Sequence, residues 1–110
     1  MENQIRKIDF VQAKRILDSG RPAVLLDVRT EGEYIVEHAA GAVLFPLDEI
    51  GAESASRLLP DKSAQLLVYC RTGRRSRMAA EILTGLGYEN VLDLGSLEGW
   101  PYGRDCGTEE

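Results

Sequence analysis

Histidine occurs once in the 110 residues, as His38, and cysteine twice, as Cys70 and Cys106. A zinc site built from Cys and His alone therefore lacks its fourth ligand, and no metal is expected. Thirty-five residues separate the two cysteines, which gives neither a disulfide framework nor the CxxC pair of a redox motif. Long apolar runs are also missing. No segment approaches the ~20 residues needed to cross a bilayer, and the opening Met-Glu-Asn-Gln-Ile-Arg-Lys is not followed by the apolar core of an export signal. The expectation is a soluble protein of a reducing compartment, the cytoplasm, with no membrane partner. Basic residues are outnumbered 13 to 18, and a net charge of −5 argues against a nucleic-acid surface.

What is present is enough for one domain. A hydrophobic content of 44% over 110 residues fits a single core, with residues 5–102 folded and a loose C-terminal tail over 103–110. Ile5 to Ile8 reads as a short strand. Asp9 and Gln12 have N-cap and N3 spacing for a helix that carries Phe10, Ala13, Ile16 and Leu17 inward, stopped by Gly20 and Pro22. Ala23 to Val28 is an apolar run of strand length, suited to a strand covered on both faces. Thr30-Glu31-Gly32-Glu33 has capping-box spacing for a short helix through Glu37, and Ala42 to Phe45 is a short buried strand closed by Pro46. Asp48 is placed to cap a helix running to about Leu59, before the Pro60-Asp61 turn and a strand over Gln65 to Tyr69. A helix beginning near Ser76 stacks Met78, Ile82 and Leu86, and Gly87 ends it; Val91 to Leu94 is a last strand. Strands alternating with helices at these intervals predict an α/β domain, a mainly parallel five-stranded sheet with helices on both faces.

Chemistry concentrates at Tyr69-Cys70-Arg71-Thr72-Gly73-Arg74-Arg75-Ser76-Arg77. Four arginines and no acid lie between positions 70 and 77, and without them the rest of the chain stands at −9. The cysteine ends a strand, a tight loop follows, and a helix begins, so backbone N–H groups and the helix N-terminus point at the sulfur. Gly73 permits a left-handed turn that folds several N–H groups into an anion-binding nest. These features favour the thiolate, the nucleophilic form, over the thiol. An inert core cysteine would leave four clustered cations without an anion.

These residues resemble the active-site loop of the single-domain rhodanese family, the thiosulfate and persulfide sulfurtransferases. Asp27-Val28-Arg29 with Glu33-Tyr34, then His38 and Gly41-Ala42 with Pro46, resemble the family's N-terminal signature, and Gly95 with Trp100 its closing one. The resemblance runs from about Ile5 to Tyr102. Glu37 before His38, Leu44, and Ser96 in place of a second closing glycine depart from the usual pattern. The resemblance implies that Cys70 takes the outer sulfur of a sulfane donor such as thiosulfate and holds it as a persulfide. An acceptor then removes it: cyanide, glutathione or another thiol, or a thioredoxin-like protein. No cofactor is required.

Around Cys70, the loop residues Arg71, Thr72, Gly73, Arg74, Arg75 and Ser76 are the substrate-binding candidates. Arg71 and Arg74 are the best placed for an anion, Arg75 braces the loop by pairing with an acid, and Arg77 is either a solvated helix residue or a further charge near the sulfur. Thr72 and Ser76 add hydroxyl donors, or Ser76 caps the helix. Asp27 and Arg29 follow a buried strand and support the neighbouring loop as an ion pair. His38 is a turn or packing residue, since a preformed thiolate needs no base. Trp100 and Tyr102 close the core, while Cys106 lies in the tail, its reach to Cys70 open.

Two other functions fit parts of the pattern. Phosphatases and arsenate reductases of related fold need an arginine where Ser76 stands. A sulfur-relay module would use the same persulfide but deliver it only to a docked protein.

Overall fold

A computed structural model describes residues 5–107. Five parallel strands form its central sheet in the order β1-β6-β5-β2-β4: Arg6–Lys7 (β1), Ala23–Asp27 (β2), Val43–Leu44 (β4), Gln65–Cys70 (β5) and Asn90–Ser96 (β6). The helices are Phe10–Leu17 (α1), Glu31–Val36 (α2), Ala52–Leu58 (α3) and Arg74–Gly85 (α4). Capping boxes start α1, between Asp9 and Gln12, and α2, between Thr30 and Glu33. Alternation along the strands divides the core. Leu26, Leu66, Val68, Cys70 and Val91 face α3 and α4, while Leu25, Leu67, Tyr69, Leu92 and Leu94 face α1 and Trp100. Both faces are dry, which is why β5 shows an unbroken apolar run.

Three expectations change. Asp48 does not cap a helix: Leu47–Glu49 is a single 3-10 turn, and α3 starts later, where the Ser54 hydroxyl accepts from the Gly51 N–H. Met78 and Ile82 do not form the inner stripe of α4 and are 47% and 39% exposed. The inner stripe is Ser76, Ala79, Ala80 and Leu83: the first three are small and let the helix lie close to the sheet, and Leu83 fills the core beyond them. The helix also begins at Arg74, ahead of Ser76.

The tail is not loose over its described part. Arg104–Asp105 (β7) pairs antiparallel with His38–Ala39 (β3), and the Gly107 N–H donates to the Ile35 carbonyl at 2.7 Å. Arg104 itself donates to the Leu97 carbonyl and pairs with Glu37. A strap of Gly103-Arg104-Asp105-Cys106-Gly107 carries no apolar period, so its anchoring left no sequence signal. Residues 1–4 and 108–110, the ends of the segments discussed above, lie outside the described residues.

Candidate active site

Parallel pairing puts the carboxyl ends of β2 and β5 side by side, and Cys70 is the last residue of β5. A shift in the β5/β6 pairing between Val68 and Tyr69 brings Cys70 opposite Ser96. The loop is then tied to β6 twice: the Leu97 N–H donates to the Cys70 carbonyl at 2.9 Å, and the Ser96 hydroxyl donates to the Arg71 carbonyl at 2.6 Å. Serine in place of a closing glycine thus supplies a tether.

Gly73 turns the chain back with φ of +99°, a left-handed conformation that other residues adopt at a cost. Its N–H donates to Cys70 Sγ at 2.9 Å, and the Ser76 N–H donates at 3.2 Å. The sulfur is fully buried beneath them. Arg74 and Arg75 occupy the same first turn of α4, where N–H groups have no partner within a helix. Two amide donors and the helix N-terminus are thus aimed at the sulfur, placed to hydrogen-bond negative charge there against the burial that opposes it.

The arginines divide by direction. Arg75 is turned away to Glu33, donating at 2.8 and 3.0 Å to its two carboxylate oxygens. Hydrogen bonding from Arg75 and then from Thr30 holds the Glu33 carboxyl down at about 2, against the partial desolvation that opposes it. Arg77 pairs with Glu81 on the exposed face of α4. Arg71, Thr72 and Arg74 are exposed, and among the described residues no guanidinium bonds the sulfur. Ser76 does not cap α4 with its side chain. It is buried, with its hydroxyl 2.8 Å from Asp93 and 3.0 Å from the Gly73 carbonyl.

A second buried group lies on the other face of the sheet. Arg29 binds Asp27 through Nε and Nη2 at 2.7 to 3.1 Å, and Tyr69 donates to Asp27 at 2.6 Å. Burial, then the neighbouring Asp27, pushes the Tyr69 phenol well above its ordinary value, so it remains a donor. The same oxygen accepts the Ala39 N–H, and Arg29 donates to the Glu37 carbonyl. Asp27 and Arg29 therefore fix the segment after α2. His38 is buried, stacked on Tyr34 at 3.7 Å between centroids, with Nδ1 on the Tyr34 carbonyl. Trp100 packs edge-on against Phe10 and Tyr102.

A cleft of about 580 Å3 opens beside the loop, with Arg71 and Thr72 on one wall and Val36, Glu37 and Arg104 on the other. Cys106 is exposed and lines a neighbouring cleft instead. Among the described residues no cluster of His, Cys, Asp and Glu has the arrangement of a metal site, and no helix is long and apolar enough to cross a membrane.

Fold and site together define a single α/β domain with an anion-cradled cysteine at the carboxyl end of a parallel strand. The rhodanese-like domain model matches residues 9–101, and the chain belongs to that family. It is 41% identical over 73 residues to the thiosulfate sulfurtransferase PspE of Escherichia coli, covering 66% of this chain and 69% of that protein. It is 30% identical over 110 residues to the thiosulfate:glutathione sulfurtransferase of Saccharomyces cerevisiae, covering 89% and 79% of the two chains. The crystal structure of the Alr3790 protein from Anabaena superposes with a TM-score of 0.80 at 28% identity, covering 93% of this chain and 94% of that one. Against the adenylyltransferase and sulfurtransferase chains that it also matches, it spans only about a fifth of their length.

Three residues around the loop escape a reading of the sequence. Glu33 is visible there as the N3 residue of a capping box and as part of the N-terminal signature but not as a partner of the loop, Ser96 only as a departure from a glycine pair, and Asp93 only as a polar residue inside a strand. Asp93 carried the clearest signal, since a carboxylate within an apolar strand needs a partner.

Proposed function

We propose that the protein is a sulfurtransferase that moves a sulfane sulfur from thiosulfate or a persulfide donor to a thiol or cyanide, with Cys70 as the carrier. The observation that carries this reading is the pair of N–H donors, from Gly73 and Ser76, on Cys70 Sγ. The Cys70 thiolate attacks the outer sulfur of thiosulfate. An S–S bond forms to Cys70, the bond to the sulfonate sulfur breaks, and its electron pair leaves with sulfite. Charge balances, because one thiolate becomes one persulfide anion and a dianion leaves as a dianion. The acceptor anion then attacks the terminal sulfur and returns the Cys70 thiolate, so cyanide gives thiocyanate and a thiolate gives a persulfide.

In the first step, Arg71 and Arg74 attract the sulfonate oxygens, and the amides of the loop hold the terminal sulfur's charge. Thr72 offers a further hydroxyl at the mouth, Arg75 fixes the loop, and Asp27 with Arg29 supports the wall behind it. Because the sulfur is covered in this structure, entry of a donor requires the loop to open at its mouth. A loop of this length surrounds one sulfur atom, and Ser76, facing Asp93, stands where phosphatases of related fold need an arginine. A reducing compartment such as the cytoplasm suits the chemistry, since Cys70 must be a free thiol to accept sulfur. Glutathione fits as acceptor by analogy with the yeast relative's name.

The test is thiocyanate formation from thiosulfate and cyanide by wild type and Cys70→Ser. Loss of turnover in the variant is expected; equal rates would overturn the reading. Val36, 76% exposed on the rim of the cleft, favours a second reading in which a docked protein receives the sulfur. Transfer accelerated by a partner protein and unaffected by small thiols would select it.

A further inference from the structure

Asp93 is a carboxylate 98% removed from solvent, on the α4 face of the sheet two residues after Val91. It pairs with no basic residue, and among the described residues its side chain has one hydrogen-bond partner, the Ser76 hydroxyl at 2.8 Å. Nothing in sulfur transfer itself uses it. A buried carboxylate without a cation is costly to keep, so its place under the loop calls for a reason.

Ser76 supplies one. It is the third residue of α4, and its own N–H is one of the two donors on Cys70 Sγ. Its hydroxyl has a single proton and two acceptors in range, the Gly73 carbonyl at 3.0 Å and Asp93 at 2.8 Å. Gly73 already accepts the Arg77 N–H, which opens the helix ladder, so the proton goes to the nearer and stronger acceptor. The chain of contacts is then Asp93 to Ser76 hydroxyl to Ser76 N–H to sulfur. The Arg75–Glu33 pair holds the outer side of this first turn, and the Ser76–Asp93 bond holds its inner side to the sheet beneath.

We propose that Asp93 is a positioning residue for the Cys70 loop, which through the Ser76 hydroxyl holds the Ser76 N–H on the sulfur. The inference builds on the proposed sulfur chemistry but is measurable without it. Asp93→Asn keeps an acceptor and loses the charge; Asp93→Leu loses both at nearly the same size. The two roles a carboxylate can have here predict opposite signs. As a nearby negative charge alone, its removal makes the thiolate easier to form in both variants. As a positioning group, only the leucine variant suffers.

The experiment follows alkylation of the Cys70 peptide by iodoacetamide, read by mass spectrometry so that Cys106 is counted apart, at about pH 6.5, where an ordinary thiol is mostly protonated. Removing an anion-stabilising donor outright costs 10²–10³ in rate, and displacing one is expected to slow Asp93→Leu about tenfold. Asp93→Asn should react at least as fast as wild type, and Ser76→Ala should add little to Asp93→Leu when combined with it. Thermal melts restrict the comparison to temperatures at which all variants are folded. Alkylation of Asp93→Leu as fast as wild type, or Asp93→Asn slowed as much as Asp93→Leu, would overturn the inference. Thiocyanate formation is measured alongside: its absence in wild type counts against the proposed activity and leaves the alkylation result standing.

Discussion

Arg75 grips both carboxylate oxygens of Glu33, tying the first turn of α4 to the first turn of α2 across 42 positions of sequence. The pair is partly exposed, at 32% and 25% of the two side chains, so solvent screening limits it to about 1 kcal/mol of stability. Its pH dependence has a definite sign. Folding lowers the Glu33 carboxyl from an ordinary value of 4.5 to about 2, chiefly through Arg75. Protons therefore bind the unfolded chain more readily, and the contribution is whole above about pH 4.5 and vanishes as the pH falls through about 2. Urea unfolding of wild type and Glu33→Gln should differ near neutrality and converge at about pH 2. A difference that persists undiminished into acid would show that Glu33 acts through something other than its charge.

Gly73→Ala tests the turn that aims the first amide. A methyl group there would lie 3.8 Å from Gly95 Cα, an ordinary contact, so crowding is not the obstacle. The obstacle is φ of +99°, which costs an alanine about 1–2 kcal/mol. The chain can lower that cost only by rotating the peptide that carries the Gly73 N–H off the sulfur. Sulfur transfer is expected to fall more than thermal stability does. A variant with full transfer rate and a lowered melting temperature would show that the loop accommodates the side chain without moving the amide.

How much of this was legible follows from what each residue must satisfy locally. The capping boxes at Asp9 and Thr30, the left-handed turn at Gly87 and the buried strand ending in Cys70 are local patterns, and the sequence carries them whole. Arg75 was readable as a residue in need of an acid, but not as the partner of Glu33, because the choice depends on α2 and α4 meeting at the ends of β2 and β5. The stripe of α4 misled for a related reason. Met78, Ile82 and Leu86 have the helical period, yet the distance between helix and sheet, set by Ser76, Ala79, Ala80 and Leu83, decides which stripe faces in. The strap over residues 103–107 binds by backbone pairing and by Arg104 to Leu97 and Glu37, long-range contacts that composition cannot report.

Arg29→Ala should be among the most damaging single changes outside the loop. It leaves Asp27 buried without its cation, and breaking such a pair costs about 3–5 kcal/mol. Tyr69→Phe is milder, about 1–3 kcal/mol, because Arg29 remains and the loss is one bond to Asp27 with the Ala39 N–H left unpaired. Denaturant unfolding ranks the two. The reverse order would mean that Tyr69, and not the ion pair, fixes the segment that leads into β3.

Arg71 and Arg77 carry the same charge within a few residues of the sulfur and should behave differently. Arg71 is exposed at the mouth of the cleft without a carboxylate partner among the described residues, so it is free to meet the sulfonate of thiosulfate. Arg77 spends its charge on Glu81 at the helix surface, a pair worth a few tenths of a kcal/mol at most to stability. Arg71→Ala is expected to raise KM for thiosulfate about tenfold, the loss of one charge-assisted contact, with a smaller effect on kcat. Arg77→Ala should leave both constants within about twofold of wild type, since at that distance solvent and salt screen its charge. If the two variants were equally impaired, thiosulfate would be responding to the summed charge of the loop. If only Arg71→Ala failed, the donor anion is held at one point, at the wall of the cleft that Arg71 lines.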